Sequence, residues 1–322
     1  MKHHILQLDA DDSLNLISKL PDVYGEPFAD PSALPTLLLS QFVSQSVKVC
    51  LSGDGADELF AGYGRYYNFK PLNTWYRWIN IPSYLQNPLH DFIIAVNHHP
   101  FFINHAKLFN WPEFSRLPSI VENLASITSA DSLAEYGGFS NAKWGPTSLF
   151  SSSKSVVTNP SLGNFNIKDT YSHTLSLMQH DVSFYLPDDI LFKTDSSSMF
   201  FGLEVRSPFL DSNVVDEAFK LQYGSNPYLK TNKNVLKEIL LNYLPDYDLK
   251  AKRGFGIPLA DWLRGPLRVW CQSLLNSPFI FSLGMDHRWI LFIWNQHSLG
   301  TKSHAQPLWN LVMLLYWLEN NV

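Results

Sequence analysis

Three carboxylates, Asp54, Asp57 and Glu58, stand close together in the turn Ser-Gly-Asp-Gly-Ala-Asp-Glu at residues 52–58. Acidic side chains this close repel one another, so their clustering indicates a bound cation. The β-rich run at residues 47–51 ends at this turn, whose two glycines permit a tight bend close to a ligand. A strand that ends in a glycine-rich turn and opens a helix is where α/β sheets bind nucleotides. The pattern therefore predicts a nucleotide–magnesium site.

The same acids also have a structural interpretation. Asp is common in turns and at helix N-caps, so Asp54 and Asp57 could serve only there. Glu58 falls in the first turn of the predicted helix, where the helix dipole favours an acid. A role in the helix and a role as a ligand are equally open for Glu58. We expect Tyr63, which follows shortly after, to contribute packing.

The elements before the acidic turn predict a parallel sheet. Residues 4–8 could form a strand, and residues 11–20 have the apolar spacing of a helix with an Asp cap. The proline-rich loop at residues 25–35 leads into a helix that runs to about residue 45, and the strand 47–51 follows. This β-α-loop-α-β order suits a doubly wound α/β fold.

The rest of the chain predicts mainly helices. Residues 233–244 are amphipathic and end before Pro245, which cannot continue a helix. Residues 308–318 are apolar nearly all round, so we expect a buried helix there. The polar, serine-rich segment 151–165 is the best candidate for a mobile loop.

Composition excludes several classes of protein. A chain of 322 residues with 45% hydrophobic residues is long and apolar enough for a large core, or for two lobes. The net charge of −5 and the lack of Lys/Arg runs argue against nucleic acid as a partner. The two cysteines lack a Cys or His cluster around them, which favours a reducing compartment over a disulfide or zinc scaffold. With no signal peptide or membrane-spanning segment in the sequence, we expect a cytoplasmic chain that does not bind membranes.

Four segments, in order, resemble the synthetase domain of the glutamine-hydrolysing asparagine synthetase family. The signature LSGDGADELFAGYGRY lies at residues 51–66, and the loop GEPFADPSALP precedes it at residues 25–35. The segment LPDDILFKTDSSSMFFGLEVRSPFLD at residues 186–211 is similar to the family's helix-and-turn motif. KAKRGFGIPLADWLRG, at residues 250–265, resembles its lysine loop. Together they cover the chain nearly end to end.

The resemblance implies an α/β fold: a partial adenine-nucleotide α-hydrolase-like parallel sheet followed by a large, mainly helical lobe. Residues 1–70 would be the remnant of the nucleotide-binding sheet, and residues 71–322 the helical part with the substrate and lysine loops. The implied activity is ATP-dependent amide formation through β-aspartyl-AMP, from aspartate or a related carboxylate, with ATP and Mg²⁺ as cofactors. The nitrogen comes from ammonia or glutamine.

The resemblance also assigns roles to five residues. Ser52 and Gly53 match positions whose backbone holds ATP. Asp54 matches the acidic residue tied to forming and using the adenylate, where many relatives carry Glu. Asp57 matches a magnesium carboxylate on the pyrophosphate side. Lys252 matches the loop lysine that neutralises charge developing on phosphate, a role that suits a compact cation.

Four further residues are candidates for substrate contact. Asp30 and Ser32 lie in the loop where the family places the amino-acid substrate, and loop residues are often functional. Asp195 and Arg206 belong to the helix-and-turn motif. They could contact the substrate, or they could form a structural ion pair with each other.

Two family features are absent from the sequence. The loop Ser-Gly-Gly-x-Asp-Ser, which wraps the pyrophosphate, is not found, and neither is the glutaminase domain with its first-position cysteine. Without that loop we expect slow adenylation, because one lost donor for developing charge costs about a hundredfold. The sequence therefore leaves two alternatives: an active enzyme, or a truncated, catalytically dead or split-gene fragment. The fragment would need an upstream chain that carries the pyrophosphate loop and the glutaminase domain.

Overall fold

The computed structural model describes residues 3–8, 10–64, 66, 175, 177–223, 233–249 and 255–322. The chain divides into two compact units, one of residues 1–63, 149–152 and 178–322, and the other of residues 64–148 and 153–177. Every helix and strand given below lies in the first unit. The boundary expected at residue 70 lies outside the described residues and stays a prediction.

The described part is mostly helical, with a small parallel sheet. Its helices α1 to α12 are Ala10–Ile17, Leu20–Tyr24, Ala33–Ser44, Ala56–Leu59, Phe192–Met199, Ser212–Tyr223, Asn234–Tyr243, Leu259–Arg264, Arg268–Leu274, Phe279–Ser282, His287–Ser298 and Ala305–Asn321. A π-helix, Asp181–Leu191, runs directly into α5, and a 3₁₀ turn, Pro208–Leu210, follows the second strand. The strands are β1, Val49–Leu51, and β2, Glu204–Arg206.

β1 and β2 pair in parallel, so the long connection between them returns the chain to the same end of the sheet. Val49 lies opposite Glu204, and Leu51 lies opposite Arg206. The Ser52 N–H extends the pairing past β1 by donating to the Arg206 carbonyl at 2.9 Å. The carboxyl ends of both strands therefore meet at one edge, where α/β sheets present their ligand sites.

Helices α3 and α5 pack against each other beside this sheet. In α3, Ala33, Leu34 and Leu37 are fully buried, at the spacing of one helix face. In α5, the buried residues Ser197 and Ser198 are small and let the helices approach closely, and Lys193 is the third buried residue of that helix. This packing fixes where α5 places its remaining side chains.

A glycine turn sends the chain from α5 into β2. Gly202 has φ +65°, a left-handed conformation that glycine adopts without strain. The Leu203 N–H bonds the Ser198 carbonyl at 3.0 Å, and the Gly202 N–H bonds the Met199 carbonyl at 2.9 Å. These two bonds form a Schellman motif, which satisfies the last carbonyls of the helix. The helix end, and with it the start of β2, is thus set by the local sequence.

The last five helices bury an apolar core. In α12, Leu308, Val312 and Leu315 recur at helical spacing and are fully buried, with Trp309 beside them. Cys271 in α9 is buried and free, so it contributes to packing and not to a disulfide. The prediction of a buried helix over residues 308–318 is confirmed, and that helix extends a few residues further at both ends.

Other predicted elements divide into confirmed and wrong. The helices to about residue 45 and over residues 233–244 are confirmed as α3 and α7, and the strand at 47–51 as β1. The strand predicted at residues 4–8 is wrong, because that segment is irregular. No described strand lies alongside it, and the His4 ring contacts Phe42 of α3 at 6.0 Å between centroids.

Two further predictions concern the ends of the expected elements. The helix predicted at residues 11–20 is broken after Ile17, so α1 and α2 replace it, and α1 begins at Ala10, before the expected Asp cap. The loop predicted at residues 151–165 lies outside the described residues. None of the helices that the structure describes is both long enough and apolar enough to cross a bilayer.

Candidate functional site

Asp54 lies where the carboxyl ends of β1 and β2 meet, and three hydroxyl groups surround it. The Ser52 hydroxyl donates to Asp54 Oδ2 at 2.9 Å, and the Thr194 hydroxyl of α5 donates to the same oxygen at 3.2 Å. The Ser207 hydroxyl, just after β2, lies 3.0 Å from that of Ser52. These bonds hold the half-buried carboxylate in one orientation, with its acidic oxygens at the sheet edge.

The turn that carries Asp54 depends on Gly55. Its φ of +87° is left-handed, and a Cβ there would lie 2.3 Å from Leu210 Cδ2. Only glycine fits such a close approach. Gly53 is exposed, and no atom lies within 4 Å of where its Cβ would be. Because the Ser52 N–H already bonds Arg206, Gly53 is the more accessible of the two backbone positions expected to hold ATP.

Asp57, in α4, forms an ion pair with Lys233, just before α7. Lys233 Nζ lies 2.9 Å from Asp57 Oδ1, and both side chains are about one-fifth exposed, at 24% and 19%. Gly62 lies against this pair, since a Cβ there would be 1.9 Å from Asp57 Oδ1 and 2.5 Å from Lys233 Cε. The expected magnesium carboxylate therefore has a lysine as its neighbour.

Asp30, in the loop before α3, is bonded to a buried lysine of α5. The Lys193 ammonium donates to Asp30 Oδ2 and lies 3.6 Å from Asp189 Oδ1, with its own side chain 10% exposed. Ser32 donates to Asp30 twice, from its N–H at 2.9 Å and its hydroxyl at 2.6 Å. Burial alone would raise the pKa of Asp30, but the charge of Lys193 and these hydrogen bonds lower it overall.

Helix α5 connects Asp30 and its partner Ser32 to Asp54 and its partner Ser52. Lys193 and Thr194 are consecutive, so their side chains leave the helix about 100° apart. One reaches the loop before α3 and the other reaches the turn after β1. The structure therefore brings Asp30, Ser32, Ser52 and Asp54 to one helix.

Glu58 is buried, at 1% exposure, and accepts a hydrogen bond from the Tyr63 hydroxyl at 2.5 Å. Burial raises the pKa of Glu58, and the bond from Tyr63 opposes that rise. The Tyr63 ring packs edge-on against Tyr185 of the π-helix at 6.1 Å. Of the two roles left open by the sequence, this environment favours the structural one, because a ligand would have to displace Tyr63.

Asp195 and Arg206 are not paired with each other. The Arg206 guanidinium donates to Glu204 Oε1 at 2.8 Å in an exposed ion pair, and Asp195 is exposed on α5. The expectation of an ion pair between Asp195 and Arg206 is thus wrong, because Glu204 is two residues away on the same side of β2. Lys252, the expected loop lysine, lies outside the described residues.

Sequence reasoning missed three residues that the structure places at the site: Lys193, Thr194 and Lys233. The signal for Lys193 was its spacing, since Asp189 precedes it by one helical turn inside the helix-and-turn motif. Thr194 and Lys233 carried no such signal, because their partners Asp54 and Asp57 are distant in sequence.

The described residues fit a magnesium ion only together with a ligand that brings its own oxygens. Across the parts of the chain that the structure describes, no three His, Cys, Asp or Glu side chains converge to hold a metal. Asp57 is a single carboxylate, and Mg²⁺ commonly takes one or two carboxylates together with phosphate oxygens and water. Tight binding of an ion at Asp57 would therefore need the phosphate oxygens of a nucleotide.

A cavity of about 460 Å³ on the outer side of α3 does not contain this chemistry. Its lining is mostly apolar and includes Leu6, Leu38, Phe42 and Phe255. None of the candidate site residues that the structure describes lines it. The site follows from the strand ends and their side chains, and not from the depth of a pocket.

The fold and site define an α/β protein with a candidate nucleotide site at the carboxyl ends of two parallel strands. The sequence model described as asparagine synthase matches residues 1–319, and the chain belongs to the asparagine synthase family, a family of ligases. The resemblance carried by the four segments is confirmed.

The chain is similar to several curated proteins over nearly all of its length. It is 27% identical over 327 residues to "Asparagine synthetase [glutamine-hydrolyzing] 1" of Bacillus subtilis, covering 98% of this chain and 47% of that protein. It is 28% identical over 320 residues to a putative asparagine synthetase of Mycobacterium bovis, covering 98% of this chain and 46% of that protein. "Amidase chry2" of Gibberella zeae is 24% identical over 305 residues, covering 87% of this chain and 43% of that protein. The chain thus spans about half the length of these relatives, and no solved structure matches it.

Proposed function

We propose that this chain catalyses the synthetase half-reactions of ATP-dependent amide formation, in an adenine-nucleotide α-hydrolase-like fold. A carboxylate oxygen of the substrate bonds to the α-phosphorus of ATP, and the bond to the β-phosphate oxygen breaks to release pyrophosphate. Ammonia then bonds to the acyl carbon, AMP leaves, and the nitrogen loses a proton. With aspartate as the substrate, the intermediate is β-aspartyl-AMP and the product is asparagine.

The observation that carries this proposal is the hydroxyl-bonded Asp54 at the shared carboxyl ends of β1 and β2. Ser52 and Thr194 fix the carboxylate through one oxygen, Oδ2. The fixed orientation suits a group that accepts a proton from the attacking nitrogen. The exposed Gly53 allows a nucleotide to approach the backbone beside it.

The other candidate residues would bind the substrate and the metal ion and neutralise charge on phosphate. Asp30, Ser32, Asp195 and Arg206 are the proposed substrate contacts, and the buried Lys193 would hold Asp30 in place. Asp57 would hold Mg²⁺ on the pyrophosphate side. Lys252 would neutralise charge on phosphate as it develops, in the way positioned cations act in phosphoryl transfer.

The test is aspartate-dependent release of pyrophosphate from ATP, with ammonium and magnesium present. We expect Asp54→Asn to lower the rate of amide formation, measured in the same reaction, at least about a hundredfold, with the far-ultraviolet circular dichroism unchanged. Thr194→Val, which removes one hydroxyl from Asp54, should give a smaller loss. An Asp54→Asn variant as active as the wild type contradicts the proposal. Other carboxylates in place of aspartate test the substrate, since one similar protein is named an amidase.

A second candidate function is favoured by the open face of β1: a non-catalytic or split fragment that works only with a partner. Val49 and Leu51, on one face of the strand, are 43% and 72% exposed, and Val47, two residues before Val49, is 43% exposed. Parallel strands are normally covered on both faces. In this second function, cover for that face, the pyrophosphate loop and the glutaminase domain would be supplied by an upstream segment or chain.

The same assay separates the two functions. Activity of this chain by itself supports the autonomous enzyme and contradicts the fragment. Activity that requires addition of an upstream polypeptide containing the Ser-Gly-Gly-x-Asp-Ser loop supports the split enzyme. Absence of pyrophosphate release in both cases contradicts the synthetase proposal.

A further inference from the structure

Backbone strain in the described residues is concentrated around the Asp57–Lys233 ion pair. Ala61 and Lys233 are the two non-glycine residues with positive φ in the part of the chain that the structure describes, and both have φ +53°. Such conformations are unfavourable for residues with a Cβ and persist where the surroundings fix them. The two residues also lie close together in space, because the Lys233 N–H donates to the carbonyl of Phe60, the residue before Ala61, at 3.1 Å.

The backbone on both sides of the pair is held by hydrogen bonds. The Gly62 N–H donates to the Asp57 carbonyl at 2.7 Å, which closes the turn after α4. With Lys233 anchored at Phe60, the lysine stem passes over Gly62 to reach the carboxylate. A side chain at position 62 would occupy that path. The lysine is therefore built into the turn, unlike an exposed lysine such as Lys220.

The ammonium also occupies Oδ1 of Asp57, one of the two oxygens through which the carboxylate could bind a metal. Nζ is 2.9 Å from Oδ1, a charge-assisted hydrogen bond. A magnesium or manganese ion bound to that oxygen would lie at about 2.1 Å from it. A second positive charge so close to the ammonium is strongly repelled.

We propose that Lys233 occupies the cation position at Oδ1 of Asp57, so that the Asp57–Lys233 pair must open before this oxygen can coordinate a divalent metal ion. This inference rests on the proposed role of Asp57 as the magnesium carboxylate. Its consequence is weak metal binding by the chain in the absence of nucleotide. Lys233 thereby acts as a positioning residue that keeps Asp57 oriented until the metal arrives.

Binding of Mn²⁺ alone, followed by the electron paramagnetic resonance signal of the free ion, tests the proposal without any activity measurement. We expect Lys233→Met to bind Mn²⁺ about tenfold more tightly than the wild type, because it loses both the competing and the repelling charge. Lys220→Met, which loses an exposed ion pair with Glu217, is the matched control and should match the wild type. Asp57→Asn should lose the binding. Unchanged or weaker binding by Lys233→Met, with binding still dependent on Asp57, overturns the inference and leaves the magnesium assignment standing.

A second measurement on the wild type covers the case in which Lys233→Met does not fold. Amine-reactive labelling followed by mass spectrometry reports how accessible each lysine is. We expect Mn²⁺ to raise the labelling rate of Lys233 severalfold and to leave Lys220 unchanged. An unchanged or reduced rate at Lys233 overturns the inference. Mn²⁺ binding that does not depend on Asp57 in any variant overturns the magnesium assignment as well.

Discussion

Replacing Lys193 by methionine tests whether the buried cation holds the Asp30 loop on α5. Methionine keeps most of the volume of the lysine stem but removes the ammonium that bonds Asp30 and faces Asp189. The Asp30 and Asp189 side chains are only 19% and 28% exposed, so water replaces the lost charge poorly. Breaking a buried ion pair in this way costs about 3–5 kcal/mol of the free energy of unfolding.

The pH dependence gives the prediction a second, independent readout. In the wild type the pKa of Asp30 is lowered, so its contribution is present above the ordinary pKa of aspartate and lost as pH falls through the lowered value. In Lys193→Met the ammonium is gone and burial is opposed only by the two hydrogen bonds from Ser32, so the pKa of Asp30 rises above its wild-type value. The variant therefore gains stability relative to the wild type as pH falls from neutral toward about 4.

Urea denaturation near neutral pH and near pH 5 measures both effects. Lys220→Met is again the control, because both members of its ion pair are exposed, and we expect no measurable change from it. The double variant Asp30→Asn, Lys193→Met should be more stable than Lys193→Met, because it no longer buries an unpaired charge. A loss no larger than that of Lys220→Met, or a loss independent of pH, refutes the reasoning.

Two further predictions concern the turn after α4. Gly62→Ala should lower the free energy of unfolding, measured by urea titration, by about 1–3 kcal/mol, because its Cβ overlaps Asp57 and Lys233. Gly256→Ala, whose Cβ would have no atom within 4 Å, should have little effect in the same titration. Equal effects from the two glycine variants contradict the close approach. Tyr63→Phe removes the donor to buried Glu58 and should cost about 1–3 kcal/mol near neutral pH, measured by thermal or urea unfolding. This loss should shrink as pH falls and Glu58 takes up a proton. Tyr243→Phe, whose side chain is exposed, serves as the control. A loss that grows toward low pH contradicts a hydrogen bond from Tyr63 to ionised Glu58.

Local sequence signals predicted the elements whose boundaries are set locally. Helix α7 ends before Pro245, α3 follows the proline-rich loop, and the apolar residues of α12 recur at helical spacing. The prediction of a strand at residues 4–8 was wrong because a strand depends on distant residues. A strand needs a neighbour to bond with, and in the described residues that segment lies on α3, so its apolar alternation was not sufficient.

The same difference between local and distant contacts applies to the residues of the candidate site. The acidic turn and the loop containing Asp30 were recognisable because their residues are contiguous. The partners Thr194 and Lys233 were not, since each meets its carboxylate only after the long connection has returned the chain to the sheet. Glu58 was ambiguous from sequence because its burial under Tyr63 is a property of packing.

The adjacency of Lys193 and Thr194 on α5 has a thermodynamic consequence. A rigid helix that bonds Asp30 through one residue and Asp54 through the next cannot rotate without disturbing both. A ligand that favours one rotation of α5 at the Asp30 loop therefore alters affinity at the Asp54 turn, and the reverse effect must have the same size. The total free energy of binding two ligands at these loops is then the sum of their separate binding free energies and the coupling between them, whichever ligand binds first.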